Sequence, residues 1–120
     1  MHIFNYKGKE LHAVIGKDIH YDTEEMAKIL GYRNASHLLS LFSPNDLATG
    51  EDYIEVDGKE IPMLNWYGMT LACFYSKEIG GSEGDEFLNF NRTQIKPLRT
   101  GFVQRVSRAV KQTIDRISAP

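Results

Sequence analysis

Positive charge in this chain gathers in residue types and spacings suited to one chemistry, the binding of phosphate. Residues 91–120 contain Arg92, Lys96, Arg99, Arg105, Arg108, Lys111 and Arg116 against a single anion, Asp115. The first ninety residues hold the other seven cations and fifteen anions, so a +6 end and a −8 remainder make up the formal −2. A polyanion should meet the basic end alone. Interspersed Thr93, Gln94, Thr100, Gln104 and Ser107 can donate further hydrogen bonds to phosphate oxygens. A basic face is also what a solvated helix presents, and an acidic protein partner would suit it as well.

A second constellation lies in "DTEEMAKILGYRNASHLLSLF". Its order is helix, tight Gly-containing turn, helix, as in a helix-turn-helix. In that motif the second helix enters the major groove with its N-terminal residues on base edges. Arg33, Asn34, Ser36, His37 and Ser40 form the set expected to be exposed there. Arg can grip guanine and Asn adenine through paired hydrogen bonds. A plain αα-hairpin is the structural alternative.

Catalytic patterns are missing. His2, His12, His20 and His37 never pair at i+3 or i+4, and one cysteine, Cys73, allows no Cys-x-x-Cys, so no zinc site is expected. Gly-x-Ser-x-Gly, a phosphate loop and His-Glu-x-x-His do not occur. "GGSEGD" precedes acid rather than Lys and is a poor phosphate cradle. Asp18, Asp22, Asp57 and Asp85 read as turn and cap residues. The expectation is a non-enzyme with no cofactor and no metal.

The elements that must position these groups follow from pattern. At 120 residues, with 42% apolar and 25% charged content, the chain fits one globular domain. Cys73 lies in the apolar run "MTLACFYS" and reads as a buried thiol in a reducing, cytosolic compartment. No signal peptide or membrane-length apolar run is evident. "HIFNY" and "LHAVIG" flank "KGKE", and "YIEV" and "KEI" flank Asp57-Gly58, so two β-hairpins are predicted. Asp22 or Thr23 caps a first helix with Met26, Ile29 and Leu30 on its apolar face, ended by Gly31. Asn34 or Ser36 caps a second, with Leu38, Leu39 and Phe42 apolar and "SPND" as its end. Asn65 caps a third, Ser82 or Asp85 starts a fourth, and Pro97 breaks the pattern. "FVQRVSRAVKQTIDRIS" reads as a fifth, with Val103, Val106, Val110, Thr113 and Ile117 on one side and Arg105, Arg108 and Gln112 opposite. The fold class is therefore α+β: small β-hairpins with about five helices, a helix-turn-helix-like segment and an amphipathic C-terminal helix.

"LGYRNASHLLSLF", "IPMLNWYGMTLACFYSK" and "DEFLNFNRTQIKPLRTG" resemble successive blocks of the BRO-type N-terminal domain, related to the KilA-N type. Leu30, Gly31 and Tyr32 match the first block. Gly68, Leu71, Ser76 and Lys77 resemble the second. Phe87, Phe90, Pro97, Arg99 and Gly101 resemble the third, with Phe90 where Trp is usual. The resemblance covers about residues 1–101, leaving residues 102–120 as a basic amphipathic helix. It implies a DNA-binding domain of phages and mobile elements, working in the bacterial cytoplasm at the nucleoid.

These readings lead to a stand-alone, sequence-specific binder of double-stranded DNA acting as a transcriptional repressor. An antirepressor that engages a regulatory protein is the alternative. The DNA-contacting set is Arg33, Asn34, Ser36, His37, Ser40, Arg92, Lys96, Arg99, Thr100, Arg105 and Arg108. Val103, Val106, Val110 and Ile117 are expected to hold a homodimer on a palindromic operator, unless that stripe packs on its own domain.

Overall fold

Two tight turns with positive φ at both central residues set the sheet. Lys7 (φ 48°) and Gly8 (φ 84°) join strands β1 (His2–Tyr6) and β2 (Lys9–Ile15). Asp57 (φ 51°) and Gly58 (φ 78°) join β4 (Glu51–Val56) and β5 (Lys59–Leu64). Both have the type I′ twist that matches flanking strands. The computed structural model describes residues 1–99. A three-residue strand, β3 (Ile19–Tyr21), bridges the hairpins, pairing Ala13 with Tyr21 on one side and Tyr21 with Leu64 on the other. The result is an antiparallel sheet in the order β1-β2-β3-β5-β4. Alternation sends Leu11, Ala13, Ile19 and Tyr21 into the core, all 0% exposed.

The helices begin where short polar side chains satisfy free backbone N–H groups. Asp22 accepts from Glu25 N ahead of α1 (Thr23–Leu30), and Gly31 ends it in the left-handed region at φ 86°. Asn34 accepts from His37 N ahead of α2 (Ala35–Ser40). Ser43 accepts from Asp46 N ahead of α3 (Pro44–Gly50), with Pro44 in the first turn. Asn65 accepts from Gly68 N ahead of α4 (Trp66–Glu78). After α5 (Gly84–Phe90) comes one π-helical turn, Asn91–Ile95, and residues 96–99 continue helically.

Helix α4 is the central helix. Met69, Ala72, Cys73 and Ser76 are buried along it. Ser76 Oγ donates to Leu30 O and Tyr32 Oη to Ala72 O, each at 2.6 Å, which locks the end of α1 onto α4. At its other end Gly68 packs against the Gly50 backbone so closely that a Cβ would lie 2.3 Å from Gly50 O. On the α5 side Phe87, 0% exposed, meets Tyr6 edge-on at 5.1 Å, and Phe90 meets Tyr6 at 5.2 Å. Burying a side chain such as Leu30 or Phe87 contributes roughly 1.5–3 kcal/mol each.

The α+β class holds, with four differences in detail. "SPND" ends α2 and also opens α3, because Ser-Pro supplies a cap and a first-turn proline. Strand β3 was too short to stand out as a pattern. Neither Ser82 nor Asp85 caps α5; Glu83 precedes it without a side-chain cap. Pro97 does not break the helix, since it lies within the helical stretch 96–99 after the wider π turn. The predicted fifth helix, with Thr100, Val103, Arg105, Val106, Arg108, Val110 and Ile117, falls outside the described residues. Among the described residues no helix is long and apolar enough to cross a membrane.

Candidate nucleic-acid interface

The turn after Gly31 and the first turns of α2 bring Arg33, Asn34, Ser36, His37 and Ser40 around one shallow depression of about 400 Å³. All but His37 are exposed. The turn is held from within. Tyr32 is buried and contacts the His37 ring edge-on at 5.5 Å. His37 Nδ1 accepts from Arg33 N at 3.1 Å, and Glu24 accepts from Ala35 N at 3.0 Å. His37 is therefore half-buried and part of the scaffold rather than a free reader.

Two other side chains are partly committed. Asn34 Oδ1 caps its own helix at 2.8 Å, so paired recognition of adenine would compete with the cap. Ser40 Oγ donates to His37 O at 2.6 Å and has only acceptor capacity left. Arg33 and Ser36 have no side-chain hydrogen bond with another described residue, which leaves the Arg33 guanidinium as the strongest available donor.

The basic residues of the next segment do not share this depression. Lys96 and Arg99 line a separate pocket of about 430 Å³ with Lys17, Asp18, Trp66 and Tyr67, at the N-terminal end of α4. Arg99 Nε donates to Lys17 O, and the Lys96 ammonium lies 5.6 Å from the centre of the Trp66 ring. Arg92 is exposed on the π turn and lines neither cavity. Thr93 Oγ1 donates to Asn89 O at 2.9 Å, so its proton is committed to the helix. Tyr32 anchors the first set near Ala72, while the second set surrounds Trp66. Six residues of α4 separate the anchors, or about 9 Å along its axis.

Elsewhere two lysines are paired and one hairpin is acidic. Lys7 pairs with Glu83 at 3.1 Å and Glu86 at 2.6 Å, and Lys77 pairs with Asp85. Arg33, Arg92 and Arg99 form no ion pair with another described residue. Hairpin β4–β5 carries Glu51, Asp52, Glu55, Asp57 and Glu60 against Lys59 alone. A polyanion would be repelled from that hairpin.

Sequence spacing missed two groupings that strand pairing creates. Glu10, His12 and Glu25 converge, as do Asp18, His20 and Asp52, each trio with its potential ligand atoms within 4.8 Å. Each could offer three donors to a cation. Hydrogen bonds already account for the geometry: His12 Nδ1 is 2.8 Å from Glu25 Oε2 and His20 Nε2 is 2.8 Å from Asp52 Oδ2. The His20 bond, and then that of Asn65 Nδ2, hold the Asp52 carboxyl below its ordinary range. The two-residue spacing of Glu10 and His12, and of Asp18 and His20, was the local sign. Asp18 also accepts from Ile19 N, Asp22 caps α1, Asp57 forms its turn, and Asp85 pairs with Lys77. Burial pushes the Cys73 thiol up to about 12. Comparison with known protein families, with curated proteins and with solved structures gave no match to this chain.

Proposed function

We propose that the chain is a sequence-specific double-stranded DNA-binding module that acts as a repressor by occupying its site. One observation carries the reading: Arg33, Asn34, Ser36, His37 and Ser40 border a single depression along α2, the first four of them at its N-terminal end. That is the end from which a helix-turn-helix reads bases. Arg33 is the base-reading residue, and Arg92, Lys96 and Arg99 are the phosphate contacts. The BRO-type resemblance of residues 1–101 points the same way. The six residues of α2 span about 9 Å, or about three base pairs, so one copy reads little sequence. A homodimer through Val103, Val106, Val110 and Ile117 would double the contacts on a palindromic operator in a bacterial cytoplasm.

The test is polarisation of a labelled duplex across a salt series. Affinity should fall steeply as salt rises. Salt-independent binding, or none at low salt, would remove the proposal. The second reading is an antirepressor that engages a regulatory protein rather than DNA. It predicts a stable protein complex and little affinity for duplex DNA.

A further inference from the structure

We infer that the pocket between the β2–β3 turn and the N-terminal end of α4 binds a nucleoside phosphate, stacking the base on Trp66 or Tyr67 and holding the phosphate with Lys17, Lys96 and Arg99. None of Lys17, Trp66 and Tyr67 belongs to the helix-turn-helix reading, and only Lys96 and Arg99 are shared with the proposed DNA docking. Among the described residues, three cations and two aromatic rings line about 430 Å³ there, with Asp18 as the carboxylate. That volume suits a ligand of mononucleotide size. A phosphate monoester carries about −1.5 to −2 near neutrality, which complements three cations and one anion.

The parts are held in place. Asp18 Oδ1 accepts from Ile19 N at 2.7 Å and from Trp66 N at 3.4 Å, which fixes the turn against the helix start. Arg99 reaches the Lys17 carbonyl through Nε, and its remaining guanidinium N–H groups can serve an anion. The cation over the Trp66 ring places charge and aromatic surface together, the pairing by which proteins take unstacked nucleotides. Asp18 supplies an acceptor for a base amino group or a sugar hydroxyl.

Trp66 is the only tryptophan in the chain, so its fluorescence reports this pocket alone. Titration of the full chain with a purine nucleoside monophosphate should give saturable quenching, half-complete between about 10 μM and 1 mM. Inorganic phosphate and the free nucleoside should each be weaker by about tenfold or more, since each lacks half of the contacts. Lys17→Ala keeps the carbonyl that Arg99 uses and should raise the half-point by about three- to tenfold. A short single strand competing at lower concentration than the mononucleotide identifies a nucleotide of a nucleic acid as the ligand. A strand that competes no better identifies a free nucleotide. Linear, non-saturating quenching, an equal response to phosphate alone, or an unchanged curve in Lys17→Ala would each overturn the inference. Duplex affinity measured on the same samples separates the two proposals: nucleotide binding without duplex binding sinks only the repressor reading, and the reverse sinks only this one.

Discussion

Replacing Gly68 by alanine puts a methyl carbon 2.3 Å from Gly50 O, 3.0 Å from Leu64 Cδ2 and 3.1 Å from Gly50 C. The Leu64 methyl can turn aside, but the Gly50 carbonyl is backbone and also accepts from Asn65 N at 2.9 Å. The end of α3 must retreat, which weakens that bond and loosens the cap of α4. Overpacking costs about 1–3 kcal/mol and the hydrogen bond about 0.5–1.5 kcal/mol, against a gain of about 1 kcal/mol from alanine's helix propensity. The net loss is about 0.5–3.5 kcal/mol, which lowers the thermal midpoint by roughly 2–20 °C for a domain of this size. Circular dichroism melts and urea titrations of Gly68→Ala and the parent chain measure it. Gly16→Ala is the control, since a Cβ there meets nothing within 4 Å, and its stability should be equal or slightly higher. A Gly68→Ala protein as stable as the parent would refute the close packing of α3 on α4.

Other outcomes follow from the same geometry. The Arg92, Lys96 and Arg99 triple alanine variant should bind every duplex more weakly and flatten the salt slope by roughly one unit per lost contact; an unchanged slope would move docking elsewhere. Hydrogen bonds, led by those from Tyr75 to Asp46, His20 to Asp52 and Tyr6 to Glu83, hold these carboxyls below their ordinary 3.8 and 4.5. Their stabilisation is complete above those values and is lost as pH falls through the lowered ones, while Glu51, raised by burial, works the other way. Urea midpoints should therefore drop below about pH 4.5, and midpoints constant down to pH 2 would contradict those contacts. Cys73, 2% exposed and with its thiol held near 12, should resist alkylation at pH 8 until the chain unfolds; rapid labelling of the folded protein would contradict its burial.

What could be read before the structure was local. Asp22 or Thr23, Asn34 or Ser36, and Asn65 as caps, Gly31 as a helix stop and Asp57-Gly58 as a turn need only neighbouring residues; the structure selects Asp22 and Asn34. Strand β3 exists because its three residues pair with Ala13, Val14 and Ile15 of β2 and Tyr21 also meets Leu64, and nothing in "KDIHYD" alone announces it. The π turn at Asn91–Ile95 keeps Ile95 and Asn91 buried and carries the helix past Pro97, which a proline rule cannot foresee. The exposure of Arg33, Asn34, Ser36 and Ser40 was legible because the cap fixes the start of α2, whereas that of His37 was not, since its ring turns in to Tyr32 and Arg33 N. The Trp66 pocket was not, because Lys17, Trp66 and Arg99 meet only through tertiary packing. Gly31, Tyr32, Gly68, Ser76, Phe87 and Phe90 have packing roles: Gly31 ends α1, Tyr32 and Ser76 tie α1 to α4, Gly68 admits Gly50, and Phe87 and Phe90 cover Tyr6.

The role of Arg33 is tested most directly by selecting bound fragments from random duplex DNA with the parent chain and with Arg33→Ala. Arg33 has no side-chain role in packing, whereas Asn34→Ala would also remove a cap worth about 1 kcal/mol of stability. The account predicts an enriched motif with the parent and a lost preference at one base pair, about 1–3 kcal/mol, with Arg33→Ala, while binding to random DNA is kept. Retention of no fragments by the parent, or the same motif with both chains, would contradict it.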